Sequence, residues 1–446
     1  MTEKTMHIGF DDTDSTRKGC TTYVAALLVE KLQKLNAEFI DYPNLIRLNP
    51  NVPWKTRGNG ALCLRIRYNE NVENQIKEAV IDTVEEQSDL DFKKTDPGIV
   101  FLEGSTIPRA VTIFAQNTIV GVVTLNAALK ILAKIGAEAV GFKKGRGIIG
   151  GLAAIGETLQ KDYTYEFLAY RTPENWGLDR GVDKDSIFSM DEATSPYTFN
   201  NVDPEKRRVI ITPRGPDPIL FGIRGETPEI VKKAFGMVRL SEPVERWVVF
   251  RTNQGTDAHL KRAEILRKIK PYTSVIARAT VSKKPKIVPT RHVIFSVTDE
   301  TAEVDCAAYE PTGVLRKTAS KLIIGDCLEI CGGVRFSTRS RPLTINLEKM
   351  RLLRPAQEIV FQNPTCPECG KRLKSMGTNK GFRCEKCGFR NSSLEKVRIV
   401  LKREVGKGLY ITSARSQRHL TKPFKRYGME KRNADANRLI ENWHWP

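Results

Sequence analysis

The pairs Cys366-Pro-Glu-Cys369 and Cys384-Glu-Lys-Cys387, fourteen residues apart, constrain this chain more than any other feature. Each CxxC turn brings two thiolates onto one ion, and two such turns close a tetrahedron at about 2.3 Å per Zn–S bond. Gly370 and Gly388 follow the two turns, where the backbone needs positive φ. With four cysteines and no open coordination position, the expected ion is a structural zinc; iron or a redox pair is the alternative. The other cysteines, Cys20, Cys63, Cys306, Cys327 and Cys331, have no paired spacing and read as buried small hydrophobes.

A chain of 446 residues exceeds one ordinary core and calls for several domains. Its apolar runs, such as Ile119–Ala128, fall short of the roughly 18–20 residues of a membrane span. The opening residues carry no apolar signal segment, so a cytoplasmic protein with no membrane partner is expected. The net charge of +20 points to a polyanionic partner, with a halo of solubilising lysines as the alternative. From Lys402 onward the basic groups alternate with Tyr410, Phe424, Tyr427, Trp443 and Trp445. Cations meet phosphates while aromatic faces stack on unpaired bases, so residues 397–446 read as a nucleic-acid-binding tail.

Residues 6 to about 95 alternate strand and helix in the order of an α+β plait. From Pro97 to Tyr170 the alternation resumes, with a helix over Asn126–Ile135. Thr172–Asn201 reads as a polar connector, and 207–260 as a second small α/β unit. Five strands and one short helix over 274–352 suit an OB-fold barrel, although spacing alone leaves an SH3-like barrel open. The ribbon occupies 358–396.

Three motifs carry chemistry. Asp11, Asp12 and Asp14 lie where an apolar strand opens into a turn. Carboxylates so close repel unless a cation neutralises them, and Mg²⁺ with phosphate oxygens does so; an Asx-rich turn is the bland reading. Thr21 and Thr22 begin the helix that follows. Lys143, Lys144, Gly145, Arg146, Gly147 and Gly150 combine cations with glycines ahead of a helix start, as do Lys55, Arg57, Gly58 and Gly60 in a turn. Glycines let backbone N–H groups approach phosphates; a structural turn is the alternative. One acidic turn with two such loops favours phosphoryl or nucleotidyl transfer.

The segments HIGFDDTDS, GCTTY, PWKTRGNGA, GRGIIGGLAAIG, TPRGPDPILFGIRG, FRTNQGTDAH, VDCAAYEPT and KRYGMEK closely resemble, in order, the archaeal 2-agmatinylcytidine synthetases of isoleucine tRNA. The resemblance implies a multidomain α+β chain: an N-terminal kinase-like α/β region over 6–199, a ferredoxin-like unit over 200–270, an OB-fold and a zinc ribbon. It implies that ATP phosphorylates the C2 oxygen of the wobble cytidine, anticodon position 34, and that agmatine then displaces the phosphate so that AUA is read. It also implies a self-phosphorylated threonine, Thr21 or its neighbour Thr22, and a tail that binds isoleucine tRNA. The cofactors implied are ATP, Mg²⁺ and Zn²⁺. Agmatine's guanidinium needs a carboxylate fork, for which Asp217 and Asp257 are candidates, each a solvated turn on the bland reading. The rival function is a non-catalytic tRNA or single-strand binder, which would have no use for a metal-carboxylate turn.

Overall fold

The apolar opening segment forms β1 (Glu3–Asp11), and the computed structural model, which describes residues 2–263, 265–337, 342–431 and 438–446, builds a large mixed sheet around it. Next along the chain come α1 (Thr21–Lys34), β2 (Glu38–Phe39), β3 (Asn44–Arg47), β4 (Gly60–Asn69) and α2 (Glu73–Gln87). They are followed by β5 (Gly98–Glu103), α3 (Arg109–Val120), α4 (Leu125–Ile135), β6 (Glu138–Gly141) and α5 (Gly147–Gly156). The second half of the sheet comes from β7 (Thr164–Arg171), β8 (Thr198–Phe199), β11 (Ile219–Gly225) and β12 (Val244–Thr252). Between these lie α6 (Lys184–Thr194), a small ladder of β9 (Val202–Asp203) with β10 (Arg208–Val209), and α7 (Pro228–Phe235).

The strand order is β6-β5-β1-β4-β3-β12-β7-β11-β8. β1 is central and antiparallel to both neighbours, with Ile8 opposite Leu64 and Phe101, and its alternate residues Met6, Ile8 and Phe10 are fully buried. The two halves meet at β3 and β12, a short parallel pairing with Asn44 opposite Arg251 and Leu45 opposite Thr252. Side chains reinforce that join: Thr252 Oγ1 donates to Leu45 O at 2.6 Å, and Asn253 Oδ1 accepts from Arg47 N at 2.8 Å. Because β7 pairs with both β11 and β12, the strand YTYEFLAYR lies in the second half of the sheet.

The stretch read as a connector contains α6. Asp183 caps it by accepting from Ser186 N at 2.7 Å, and Ile187 and Met190 bury beneath it. Pro173 and Pro196 flank this helix rather than interrupt it.

After β13 (Leu260–Arg262), the strands β14 (Ser274–Ile287), β15 (Val293–Thr298), β16 (Glu303–Ala308), β17 (Cys327–Arg335) and β18 (Thr344–Arg354) close a five-stranded barrel. Closure comes from β14, which pairs with β15 on one side and β17 on the other; α8 (Val314–Ala319) lies between the third and fourth barrel strands. The barrel has its own apolar core, including Phe295, Leu315 and Met350. Cys20, Cys63, Cys306 and Cys331 are buried as expected, and Cys327 is half-buried. A two-stranded ladder, Glu358–Gln362 against Val397–Leu401, leads to the cysteine ribbon, whose small core holds Leu373 and Phe382.

The C-terminal segment differs from a solvated basic arm. Trp443 is buried against Phe39 and Tyr42, and Tyr410 sits in a strand paired to β18. Arg426, fully buried, pairs with Asp162 and Glu226, while Arg415 pairs with Asp203 and Glu205. Charged groups withdrawn from water need partners, and the loops around the large sheet and the β9–β10 ladder supply them. Of the aromatics read as base-stacking, Phe424 and Trp445 are the most exposed, and Tyr427 is about one-third exposed. The part of the tail at 432–437 lies outside the described residues.

Candidate active site

A cavity of about 410 Å³ opens over the junction of the two half-sheets. Its wall brings together Asp11, Asp12, Asp14, Thr21, Thr22, Lys55, Arg57, Gly58, Gly60, Arg146, Gly150 and Asp217. β1 delivers the aspartates as it ends, and α1 delivers the threonines as it begins, so a single turn carries both chemistries. Thr13 Oγ1 donates to Thr21 Oγ1 at 3.0 Å, and Thr22 Oγ1 lies 3.1 Å from Cys20 Sγ.

The three aspartates are held apart. Asp12, at φ 63, accepts from Arg146 at 2.7 Å and from Asp96 N at 3.2 Å. Asp14 accepts from Arg57 Nε at 2.9 Å, and the same guanidinium donates through Nη1 to Asp217 at 2.9 Å and through Nη2 to Gly19 O at 2.6 Å. Asp11 accepts Asp12 N at 2.6 Å, and among the described residues it has no cation at ion-pair distance. In this structure the three carboxylates do not converge, and among the described residues only the four cysteines form a cluster of that kind. Arg146 and Arg57 supply the neighbouring positive charge at Asp12 and Asp14. What remains suits Mg²⁺ held by one or two carboxylates and completed by phosphate oxygens and water.

Electrostatics agree. Withdrawal from water, then repulsion from Asp12, raises the Asp11 carboxyl well above its ordinary range. Desolvation lifts Asp12 to about 6 against the pull of Arg146, and it raises Asp14 and Asp217 against that of Arg57. A carboxylate so destabilised gains most from a cation.

Residues 143–145 stand away from the cavity. Lys143 Nζ donates to Phe92 O and Thr95 O, both at 2.7 Å, Lys144 faces solvent, and Gly145 supplies a positive-φ turn. Gly147 N donates to Asp96 O at 2.8 Å, so it is not offered to a phosphate. The glycines of α5 serve close packing instead. A Cβ on Gly147 would lie 2.3 Å from Asp11 O, and one on Gly150 would lie 1.9 Å from Asp11 Oδ2. The missing side chains let a helix rest on the acidic turn. Gly58 and Gly60 act similarly for Arg47, whose guanidinium a Cβ would meet at 2.7 and 2.9 Å.

Asp257 is not in the cavity. Its carboxylate accepts from Lys349 Nζ at 2.6 Å and from Lys422 N at 2.7 Å, which fastens the barrel and the C-terminal segment to the loop after β12. Asp217 does line the cavity, and its Oδ1 has no hydrogen bond.

A second polar cluster on the wall has no counterpart in the motif reading: Glu166, Arg47, Arg224 and His419. Glu166 Oε1 accepts from Arg224 Nε at 2.9 Å, its Oε2 bonds Gln254 Nε2, and His419 Nδ1 lies 2.9 Å from Gln254 Oε1. Burial, then the adjoining Arg47 and Arg224, holds His419 well below its ordinary pKa, and burial lowers Arg47 to about 10. A carboxylate within the otherwise apolar strand YTYEFLAY was the signal for Glu166; His419 reaches the cavity only through the tertiary fold.

The four cysteine sulfurs lie within 4.8 Å of one another. Tetrahedral bonds of about 2.3 Å put sulfurs roughly 3.8 Å apart, and the structure has Cys366–Cys387 at 3.4 Å and Cys369–Cys384 at 3.5 Å. The donor set fits zinc.

Fold and site together define a multidomain α/β protein with a carboxylate-lined cavity, a β-barrel and a terminal thiolate ribbon. Residues 7–68 match the TiaS TCKD domain, 145–259 the TiaS FLD domain, and 363–405 the TiaS C-terminal zinc ribbon domain. The isoleucine-tRNA 2-agmatinylcytidine synthetase TiaS of Methanosarcina mazei is 43% identical over 429 residues, covering 94% of this chain and 97% of the relative. A solved complex of TiaS with its isoleucine tRNA and ATP superposes with a TM-score of 0.86 at 37% identity, covering 98% of this chain and 100% of that one. A complex of TiaS with the same tRNA, AMPCPP and agmatine gives 0.84 at 35%, covering 98% and 99%. The chain belongs to the TiaS family of isoleucine-tRNA 2-agmatinylcytidine synthetases. Among the described residues no helix is long and apolar enough to cross a membrane.

Proposed function

We propose that this chain uses ATP to join agmatine to C2 of the wobble cytidine of the minor isoleucine tRNA. The observation that carries the reading is the single wall on which the acidic turn, the two threonine hydroxyls and the flanking arginines meet. Relatives bearing this activity in their names align over nearly the whole chain.

In the first step the C2 carbonyl oxygen attacks the γ-phosphorus and ADP leaves. In the second the primary amine of agmatine attacks C2, the amine proton is lost, and the oxygen departs with inorganic phosphate. A carbonyl oxygen is a poor leaving group, and its phosphate ester is a good one. Asp11, flanked by Asp12 and Asp14, would hold Mg²⁺, which when bound offsets phosphate charge. Arg57 and Arg146 orient the aspartates and contribute positive charge at the phosphates. Lys55, on the cavity wall, adds a further cation. Asp217, a carboxylate on the cavity wall whose buried Oδ1 lies 3.6 Å from Arg180 without a hydrogen bond, is the group we assign to the agmatine guanidinium. Thr21, or Thr22 beside it, accepts a phosphoryl group in a side reaction of the same site.

We read the first half of the sheet, built around β1, as the kinase-like region, the second half, β7 with β11 and β12, as the ferredoxin-like unit, and 274–352 as an OB-fold; the closed strand order with one intervening helix supports the last. The cysteine ribbon holds zinc. The test is phosphate release. It should require ATP, the minor isoleucine tRNA and agmatine together, and release at full rate without agmatine would refute the second step.

A further inference from the structure

Beside the cavity the barrel presents an aromatic pair that the proposed chemistry does not use. The rings of Tyr272 and Phe336 have centroids 6.4 Å apart and planes within 9° of parallel, and Phe336 is 59% exposed. Neither ring belongs to the barrel core. The backbone holds the pair in place: Tyr272 N donates to Val334 O at 2.9 Å, and Val334 N donates to Thr273 O at 2.8 Å. Tyr272 sits at φ 63, a left-handed conformation that a bulky side chain adopts only when its surroundings impose it.

This position is continuous with the cavity. Asn49, on the cavity wall, donates from Nδ2 to Tyr272 O at 2.7 Å, and Asn51 Nδ2 donates to Ser274 Oγ at 2.8 Å. At the other strand, a Cβ on Gly333 would lie 2.2 Å from Asn51 Oδ1 and 3.2 Å from Arg418 Nη1. The loop that continues to the cavity-lining Val52 and Trp54 is thus fastened to the barrel where the two rings stand. Exposed cations adjoin both rings in sequence, Lys270 before Tyr272 and Arg335 before Phe336.

We propose that Tyr272 and Phe336 form a stacking platform for an unpaired RNA base adjacent to the target cytidine. The inference rests on the reading of tRNA as substrate and deepens it. A nucleotide drawn out of its stack into a cavity leaves its neighbours with uncovered faces. Near-parallel aromatics beside cations cover such faces without selecting the base, because every base has a π surface.

The test compares the full-length wild type with Phe336→Ala and Phe336→Trp, and with Tyr272→Leu, which keeps bulk without the aromatic face. Phe336→Ala should weaken binding of the minor isoleucine tRNA on the order of tenfold, leave the melting temperature unchanged, and keep the salt slope, since no phosphate contact is lost. Phe336→Trp should restore affinity, and Tyr272→Leu should weaken binding as Phe336→Ala does. With an abasic site on one particular side of the cytidine, the Phe336→Ala effect should vanish. Equal affinity of Phe336→Ala and wild type overturns the inference alone. So does a loss that Trp fails to restore, or one that every abasic substitution leaves unchanged. A wild-type chain that does not bind the minor isoleucine tRNA overturns the proposed function and this inference with it.

Discussion

Arg57 links two parts of the cavity that lie far apart in the chain. One guanidinium holds Asp14 and Asp217, and its third nitrogen ties the loop at Gly19. Burial opposes its charge, but Asp14 and Asp217 keep its pKa above the ordinary value. Arg146 pairs with Asp12, which leaves Asp11 as the carboxylate of the turn with no ion pair among the described residues. Asp11→Asn should therefore lower ATP turnover on the order of 100-fold or more, the scale of several kcal/mol of phosphate-charge stabilisation. Binding of tRNA should stay close to wild type; parallel loss of both would mean that the substitution unfolds the turn. The same site supports a labelling experiment. With γ-labelled ATP the wild type should take up label, Thr21→Ala should lose it and Thr22→Ala should retain it. Label persisting in both variants would leave these hydroxyls as an ordinary helix start.

At the scale of elements, α5 shows what a sequence can and cannot disclose. A glycine required so that a phosphate can approach and a glycine required so that a helix can approach a strand look alike, because both positions exclude Cβ. Gly150→Ala should push α5 off β1 at Asp11, destabilising the fold by about 1–3 kcal/mol and disturbing ATP turnover together. Urea unfolding and turnover measured on the same sample check this, and a variant unchanged in both would show that the helix yields at no cost. The barrel was legible because its strands alternate apolar and polar residues over lengths that suit no helix. The helix at Lys184–Thr194 was not, since only Ser186, Ile187, Met190 and Thr194 bury and the apolar stripe is thin. The ribbon was legible down to its ligands, because metal coordination fixes residue type and spacing together.

Across the whole molecule, the C-terminal segment ties the barrel to the large sheet. Its internal partners, such as Asp162, Asp203 and Glu226, lie about 200 or more residues earlier, so the basic and aromatic pattern alone could not disclose this fastening role. Glu348 on β18 is one anchor, accepting from His259 at 2.9 Å and Thr421 at 2.8 Å. Burial alone would raise its carboxyl, but His259, Arg418 and Thr421 outweigh it and hold the pKa at about 2, against an ordinary 4.5. The unfolded chain binds this proton more tightly, so the contribution, on the order of 3 kcal/mol, is present above pH 4.5 and fades as pH falls toward 2. Glu348→Gln should be less stable than wild type at neutral pH, and the gap in melting temperature should close across that window. A gap independent of pH would assign the loss to packing. Whether one wall of this cavity activates cytidine for attack by agmatine can be read from the mass of the wobble nucleoside. After incubation of the minor isoleucine tRNA with the protein, ATP and agmatine, cytidine should gain the mass of agmatine less one water, and Asp11→Asn should abolish the product. An unmodified nucleoside from the wild-type reaction, or the same product formed without ATP, would refute this mechanism.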